Sequence, residues 1–252
     1  MGFGDELLVT GRCRILQQTD PRKVRLEYGK KLWNEVFNHN PRIALYDEDG
    51  DFQVYRPRPN GLRQYCSAKS DRRWTWLPYR PEVGELYFDR HEIGFSSNYR
   101  PAIIIEPNIK NRASPNKLWP LEYWQKLVIL LNGAGLRVFQ LGPRRTPVVT
   151  GARIIETPNF RHAAAVLKNA RAAVLTEGGM AHAAAVVGVR SVVIMGGYIS
   201  PVVIGYDRNS NLFVHDDQYP LGCGMRVHCR HCEKAMRSIT PEHVFEELKK
   251  LI

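Results

Sequence analysis

The chain has 252 residues, 44 % of them hydrophobic and 24 % charged, a size and balance that suit one large or two compact globular domains. No run of 18 apolar residues is present, which excludes a membrane-spanning helix, and the amino-terminal residues lack the basic and apolar segments of a secretory signal, so a cytoplasmic location is expected. The formal charge of +11 favours anionic partners, and most of the excess lies after residue 100, with 19 basic against 11 acidic side chains compared with 17 against 14 before it.

Residues 4–18 read as a helix opening at a Gly-x-Gly turn, with Leu7, Leu8, Ile15 and Leu16 as its apolar positions. A short strand is expected over 24–28, a helix over 28–37, strands over 42–46 and 52–55 around an acidic turn, and another strand over 84–88. Between them, residues 56–82 are dense in Arg, Pro, Trp and Tyr. From Tyr99 onward the texture changes to regular alternation. Strands are expected over 102–106, 137–141, 153–156, 172–176, 191–195 and 212–214, with helices over 121–132, 160–169, 179–187 and 241–251. Short apolar strands alternating with helices imply a parallel sheet covered on both faces. A boundary near residue 100 divides the chain into 1–99 and 100–252.

Five cysteines are present, an odd number that argues against a disulfide framework in this setting. Cys13 and Cys66 stand alone. Cys223, Cys229 and Cys232 cluster with His228 and His231, enough soft ligands for a structural zinc ion of Cys₃His type using either histidine. Reduced structural cysteines are the alternative.

The most informative stretch runs through Glu177-Gly178-Gly179-Met180-Ala181-His182. An apolar strand ends there in an acidic residue and two glycines, and a small-residue helix follows. Open α/β sheets bind ligands at that carboxyl edge, and paired glycines let a phosphorylated ligand approach the start of the helix. Helix capping and close helix–sheet packing are the structural alternative.

These residues resemble those of glycosyltransferase family 9, the ADP-heptose:lipopolysaccharide heptosyltransferases. The family's Lys-Arg-Trp-Pro segment is similar to Asn116-Lys117-Leu118-Trp119-Pro120, and its Asp-Ser-Gly-x-x-His segment to Glu177-Gly178-Gly179-Met180-Ala181-His182. Met195-Gly196-Gly197 with Ser200-Pro201 resembles its Phe-Gly-x-x-x-Pro segment. Late cysteines followed by Ile239-Thr240-Pro241-Glu242, and the turn Gly2-Phe3-Gly4-Asp5, are also family-like. Coverage is the second half plus the first turn. Glu177 stands where the family has Asp, Gly178 where it has Ser, and only Met1 precedes a turn that in the family follows a β-strand.

The resemblance implies a compact GT-B-like architecture of two Rossmann-like domains, the first shortened, with acceptor side 1–99 and nucleotide-sugar side 100–252. It implies that Asp5 is the general base of an inverting transfer, with adjacent Glu6 in reserve. Lys117 is then a catalytic contact to the leaving diphosphate, shared with Arg112. Glu177 accepts a ribose or sugar hydroxyl, Gly178 and Gly179 offer backbone N–H groups to the pyrophosphate, His182 donates to a phosphate or sugar oxygen, and Met180 lines the base pocket. No cofactor is required beyond the nucleotide-sugar donor. The expected acceptor is a lipopolysaccharide or other surface saccharide. The Arg- and aromatic-rich stretch keeps modified phage DNA open as a rival acceptor, and a non-catalytic nucleotide-binding or assembly protein is the third reading. A nicotinamide-dependent oxidoreductase is disfavoured, because no Gly-x-Gly-x-x-Gly follows a strand with an acidic residue about twenty positions on.

Overall fold

The computed structural model describes all of the chain except residues 1, 29–32, 59–60, 100, 111–112 and 144–145. The first helix, α1 (Phe3–Leu16), carries Leu7, Leu8 and Val9 into the interior. The parallel pair β1 (Val24–Leu26) and β2 (Gln53–Tyr55) follows, with Ile43 bridging to Val24 beside it. An antiparallel hairpin comes next, β3 (Cys66–Lys69) with β4 (Trp74–Trp76), and then α2 (Arg90–Ser96), opened by an Asp89–Glu92 capping box.

Beyond residue 102 the chain builds β5 (Ile103–Glu106), α3 (Leu121–Gly133), β6 (Val138–Gly142), β7 (Arg153–Glu156), α4 (Phe160–Lys168), β8 (Ala172–Thr176), α5 (Gly179–Val187), β9 (Ser191–Gly196), α6 (Pro201–Ile204), β10 (Ser210–Phe213), α7 (Arg230–Ser238) and α8 (Pro241–Lys249). Six of these strands form one parallel sheet ordered β7-β6-β5-β8-β9-β10. Counted from β5, that is the doubly wound order 3-2-1-4-5-6, whose connections diverge between β5 and β8. Period-two alternation sorts the strand residues: Ile103 and Ile105 pack with α3 and α8, while Ile104 faces the side of α4 and α5. Helix α1 lies on that second side, in contact with α5. The molecule is thus mixed α/β with two sheet-and-helix regions, the first reduced to small sheets. Among the described residues no helix is long and apolar enough to cross a membrane.

Several expectations for the first hundred residues fail. Of the helix expected over 28–37, residues 29–32 lie outside the described ones, and the rest show only a 3-10 turn at Glu35–Phe37, because Asn34 caps it immediately and Asn38 leaves helical geometry. The strand expected over 42–46 shrinks to the single bridge at Ile43. Residues 84–88 form no strand: the Glu85 N–H goes to the Thr10 hydroxyl of α1 at 2.8 Å, not to a neighbouring strand.

The first region is locked to the second by one buried cation. Arg161, at the start of α4, is 2 % exposed and pairs with Glu92 through Nε at 2.6 Å and Nη2 at 2.8 Å. It also donates to the carbonyls of Glu35, Asn38 and Tyr87. A guanidinium so enclosed is tolerable because its donors are met, and removing it strands the Glu92 carboxylate inside. Arg161→Met is therefore expected to destabilise the protein by about 3–5 kcal/mol, read as a lowered urea midpoint; an unchanged midpoint would show that α2 and α4 are held by their apolar contacts alone.

Candidate functional site

A cavity of about 210 Å³ opens at the carboxyl edge of the sheet, between the ends of β5 and β8. It is smaller than the roughly 300–1,000 Å³ of pockets that enclose a whole ligand, so it suits the reacting end of a larger molecule. Its walls come from both regions of the chain. Gly2, Phe3, Gly4, Asp5, Arg63 and Tyr65 face Glu106, Lys110, Lys117 and the start of α5.

The first wall depends on the glycines of its opening turn. A Cβ on Gly4 would stand 2.4 Å from Cδ2 of His182, so only glycine lets α1 approach α5 this closely. Gly179 sits against the same turn, 3.6 Å from the Gly4 nitrogen when given a Cβ. Phe3 stacks on Phe160 with ring centroids 4.3 Å apart, sealing one rim. Asp5 is thereby carried to the cavity on the first turn of α1.

The Asp5 carboxylate is nearly buried, its side chain 9 % exposed, and both oxygens have partners. Tyr65 donates its hydroxyl to Oδ1 at 2.6 Å, while Arg63 Nε and Arg58 Nη2 lie 3.3 Å and 3.4 Å from Oδ2. Burial pushes this carboxyl up, but Arg63, the Tyr65 hydroxyl, Arg58 and His182 together outweigh it and hold Asp5 below its ordinary value. Glu6 turns the other way. It is fully enclosed, accepts from the Tyr28 hydroxyl, lies 3.7 Å from the Arg58 guanidinium and is pushed up by burial, and it is not among the residues that line the cavity.

Across the cavity, Lys117 leaves a 3-10 turn (Pro115–Lys117) and pairs with the Glu177 carboxylate at the end of β8. Helix α5 begins directly after, with Gly178 as N-cap and no side-chain capping bond. Its amino end therefore brings N–H groups and the positive end of the helix dipole to the cavity. Met180 also lines it. His182 is 5 % exposed, and its Nδ1 lies 2.8 Å from the Tyr206 hydroxyl; burial holds the imidazole below its ordinary value, hence neutral at pH 7. Lys110, also on the wall, is lowered by burial and by the neighbouring Arg63. Glu106 is raised well above its ordinary value by burial. Arg112 lies outside the described residues.

Asp5, Lys117, Glu177, Gly178, Gly179, Met180 and His182 thus line one cavity. Sequence reasoning missed Arg58, Arg63 and Tyr65 as individual holders of Asp5, although it singled out their stretch. Lys110 and Glu106 carried no motif; their position at the end of β5 was the available signal. A larger cavity of about 520 Å³ lies beyond the Pro115–Lys117 turn, floored by Trp119, Trp124 and Met236, but among the described residues nothing from the first hundred lines it.

A second constellation lies in the 223–232 loop. One ligand atom from each of Cys223, Cys229, His231 and Cys232 falls within 4.8 Å of all the others. The edge of a tetrahedral thiolate site is about 3.8 Å for metal–sulfur bonds near 2.3 Å, so the group needs only small adjustment to enclose an ion. His231 turns Nδ1 toward Cys232 Sγ at 3.7 Å, while its Nε2 meets Asp216 at 3.2 Å. A carboxylate on the far ring nitrogen is the arrangement that orients a metal-ligating histidine. The hydrogen bond from Cys232 brings the Cys223 thiol down to about 5, supplying a thiolate. His228 is not part of the group; it is exposed and turns to Glu233 at 3.1 Å. Helical direction decides between the two histidines, since α7 begins at Arg230 and carries His231 and Cys232 inward.

No protein-family model and no curated protein matches the chain. Solved structures do resemble it. A glycosyl transferase family 9 protein from Veillonella parvula is 14 % identical over 100 % of this chain and 94 % of its own, with a TM-score of 0.69. The iron-containing dodecameric glycosyltransferase TibC from enterotoxigenic E. coli is 14 % identical over 100 % and 73 %, with a TM-score of 0.67. E. coli ADP-heptose LPS heptosyltransferase II is 21 % identical over 69 % of this chain, which spans only 55 % of that enzyme, with a TM-score of 0.50. The chain shares the GT-B-like fold of these glycosyltransferases.

Proposed function

We propose that the protein is an inverting glycosyltransferase that moves a sugar from a nucleoside-diphosphate donor to a hydroxyl acceptor. The observation that carries this reading is the meeting of a held carboxylate, Asp5, with Lys117, Glu177 and the start of α5 across one small cavity. Residues 1–99 supply the acceptor side and 100–252 the donor side. The diphosphate takes Lys117 from Glu177 and lies against the N–H groups at Gly178 and Gly179, with Lys110 as a further cation. Glu177, released, accepts a ribose or sugar hydroxyl, and neutral His182 donates from Nε2 to a phosphate or sugar oxygen. Asp5 takes the acceptor's proton as that oxygen attacks the anomeric carbon, and the bond to the diphosphate oxygen breaks. Charge growing on the leaving group is met by fixed cations and a helix end, which stabilise it most in the transition state.

A saccharide acceptor fits better than DNA. Two arginines of the Arg-aromatic stretch, Arg58 and Arg63, are turned inward to Asp5. A phosphate track would need them turned outward. Arg63 at 4.7 Å, Lys69 at 5.3 Å and Arg226 at 5.6 Å lie over the Trp74 ring, a cluster of cations suited to a sugar bearing negative charge.

We further propose that Cys223, Cys229, His231 and Cys232 hold one structural metal ion, zinc or iron, the soft thiolate set suiting either. The ion would close the loop; the transfer chemistry stays with the cavity.

Four expectations test these readings. Asp5→Asn should lower kcat by about a hundredfold or more while leaving donor affinity within about twofold, because a general base contributes to the chemical step; undiminished turnover removes Asp5 from that role. Lys117→Ala should lose both donor affinity and turnover, and calorimetry with ADP-, UDP-, GDP- and TDP-sugars showing no binding to the wild type would sink the assignment as a whole. Because Asp5 is held below its ordinary value, the acid limb of kcat/KM should lie at low pH, with activity flat through neutrality on that side. Tyr65→Phe removes one bond that favours the ionised form, so its acid limb should shift upward; a downward shift or none would contradict the role given to Tyr65. For the metal, elemental analysis should find close to one ion per chain, Asp216→Ala should weaken it by about 10–100-fold, and fewer than about 0.2 ions of zinc or iron per chain would reject the site.

A further inference from the structure

Residues 224–227 are held along both edges by parts of the chain that belong to opposite walls of the cavity. On one edge they extend the β3–β4 hairpin. The Trp74 N–H donates to the Gly224 carbonyl at 2.9 Å, the Arg226 N–H to the Arg72 carbonyl at 2.8 Å, and Arg73 bridges Met225. Gly224 is obligatory there, with φ of +66° and the Trp74 carbonyl 2.1 Å from any added Cβ. On the other edge the Asn116 amide, 4 % exposed, donates to the carbonyls of Met225 at 2.8 Å and Val227 at 2.7 Å, and accepts from the Cys229 N–H at 3.0 Å. Ser114 adds a bond to Met225 at 2.7 Å.

The hairpin begins directly after Arg63 and Tyr65, which hold Asp5. Asn116 directly precedes Lys117, which holds Glu177. The strap between them runs from Cys223 to Cys229, two members of the cysteine–histidine group.

We propose that Asn116 is a positioning residue that transmits closure of the 223–232 loop by its metal to Lys117, and so sets affinity for the diphosphate. The inference rests on the metal and diphosphate sites proposed above. Opening the loop displaces the Met225 and Val227 carbonyls and the Cys229 N–H together, and a buried amide that loses three partners cannot stay where it was without cost. Among the described residues the Lys117 backbone is held by the turn itself, its N–H reaching the Ser114 carbonyl at 3.3 Å and the next N–H, of Leu118, the Pro115 carbonyl at 3.0 Å. Coupling of this kind is reciprocal, so bound diphosphate also tightens metal binding.

The test uses the full chain as wild type, Asn116→Ala and Asn116→Asp, each zinc-loaded and chelator-stripped. Zinc and iron content, hydrogen exchange in peptides covering residues 113–119, and calorimetric affinity for ADP, UDP, GDP and TDP are measured. Stripping the wild type is expected to speed exchange over 113–119 and to weaken the best-bound diphosphate by about fivefold or more. In Asn116→Ala zinc is retained at wild-type stoichiometry, exchange over 113–119 is already fast, and stripping changes affinity by less than about twofold. Asn116→Asp keeps the acceptor for Cys229 and loses only the two donations, so it carries the comparison if the alanine variant does not fold. Wild-type exchange indifferent to stripping overturns the inference, as does an Asn116 variant that responds to stripping as fully as the wild type. A wild type that takes up neither zinc nor iron overturns it through the metal reading. If exchange follows metal as expected but no diphosphate binds, the coupling of loop to turn stands and the donor-site reading falls.

Discussion

Everything at the cavity depends on how closely α1 can lie against α5. The distance is set by Gly4, where a Cβ would run into the His182 ring of α5. The doubly wound sheet by itself places a crevice between β5 and β8, with Glu106 and Glu177 at its lips. That crevice is half a site. It becomes a place where two reactants can meet only because the first turn of α1 reaches across and brings Asp5 with it. The packing that stabilises α1, Leu7 and Val9 against the underside of α4 and α5, is the same packing that aims the carboxylate.

The distribution of charge follows from that meeting. Asp5 and Glu177 are each neutralised by cations from their own wall, Arg58 and Arg63 on one side and Lys117 on the other. Among the described residues Lys110 has no ion-pair partner of this kind, and burial together with Arg63 disfavours its charge. The cavity walls carry Asp5, Glu106 and Glu177 against Arg63, Lys110 and Lys117, and burial raises Glu106 well above its ordinary value. A cation held there without a carboxylate of its own favours anions locally, without a long basic surface.

The second region was legible because its signals are local. Each strand over 103–196 is a short apolar run bounded by polar or glycine residues, and the expected limits of β8 and α5 coincide with those observed. The strand ends carry the motif residues, so Lys117, Glu177 and His182 could be placed before their contacts were known. The first region resisted because its order comes from distant partners. The hairpin Cys66–Trp76 has three exposed residues in β3 and is fixed by the strand-like segment around Met225, some 150 residues on. The stretch 84–88 alternates like a strand yet gives its first N–H to a side chain of α1. Arg63 and Tyr65 look like any members of an Arg-aromatic stretch until Asp5 is brought beside them. His228 and His231 are equally spaced candidates in one dimension, and only the start of α7 separates them.

The pairing of α1 with α5 also has a consequence for synthesis. Helix α1 leaves the ribosome about 175 residues before the helix it packs against. At roughly 5–20 residues per second that is a delay of about 10–35 seconds. Through that interval Leu7, Leu8 and Val9 have no permanent cover, and β1 and β2 are too small to provide it. The Asp5 carboxylate therefore reaches its final surroundings only after α5 has been made.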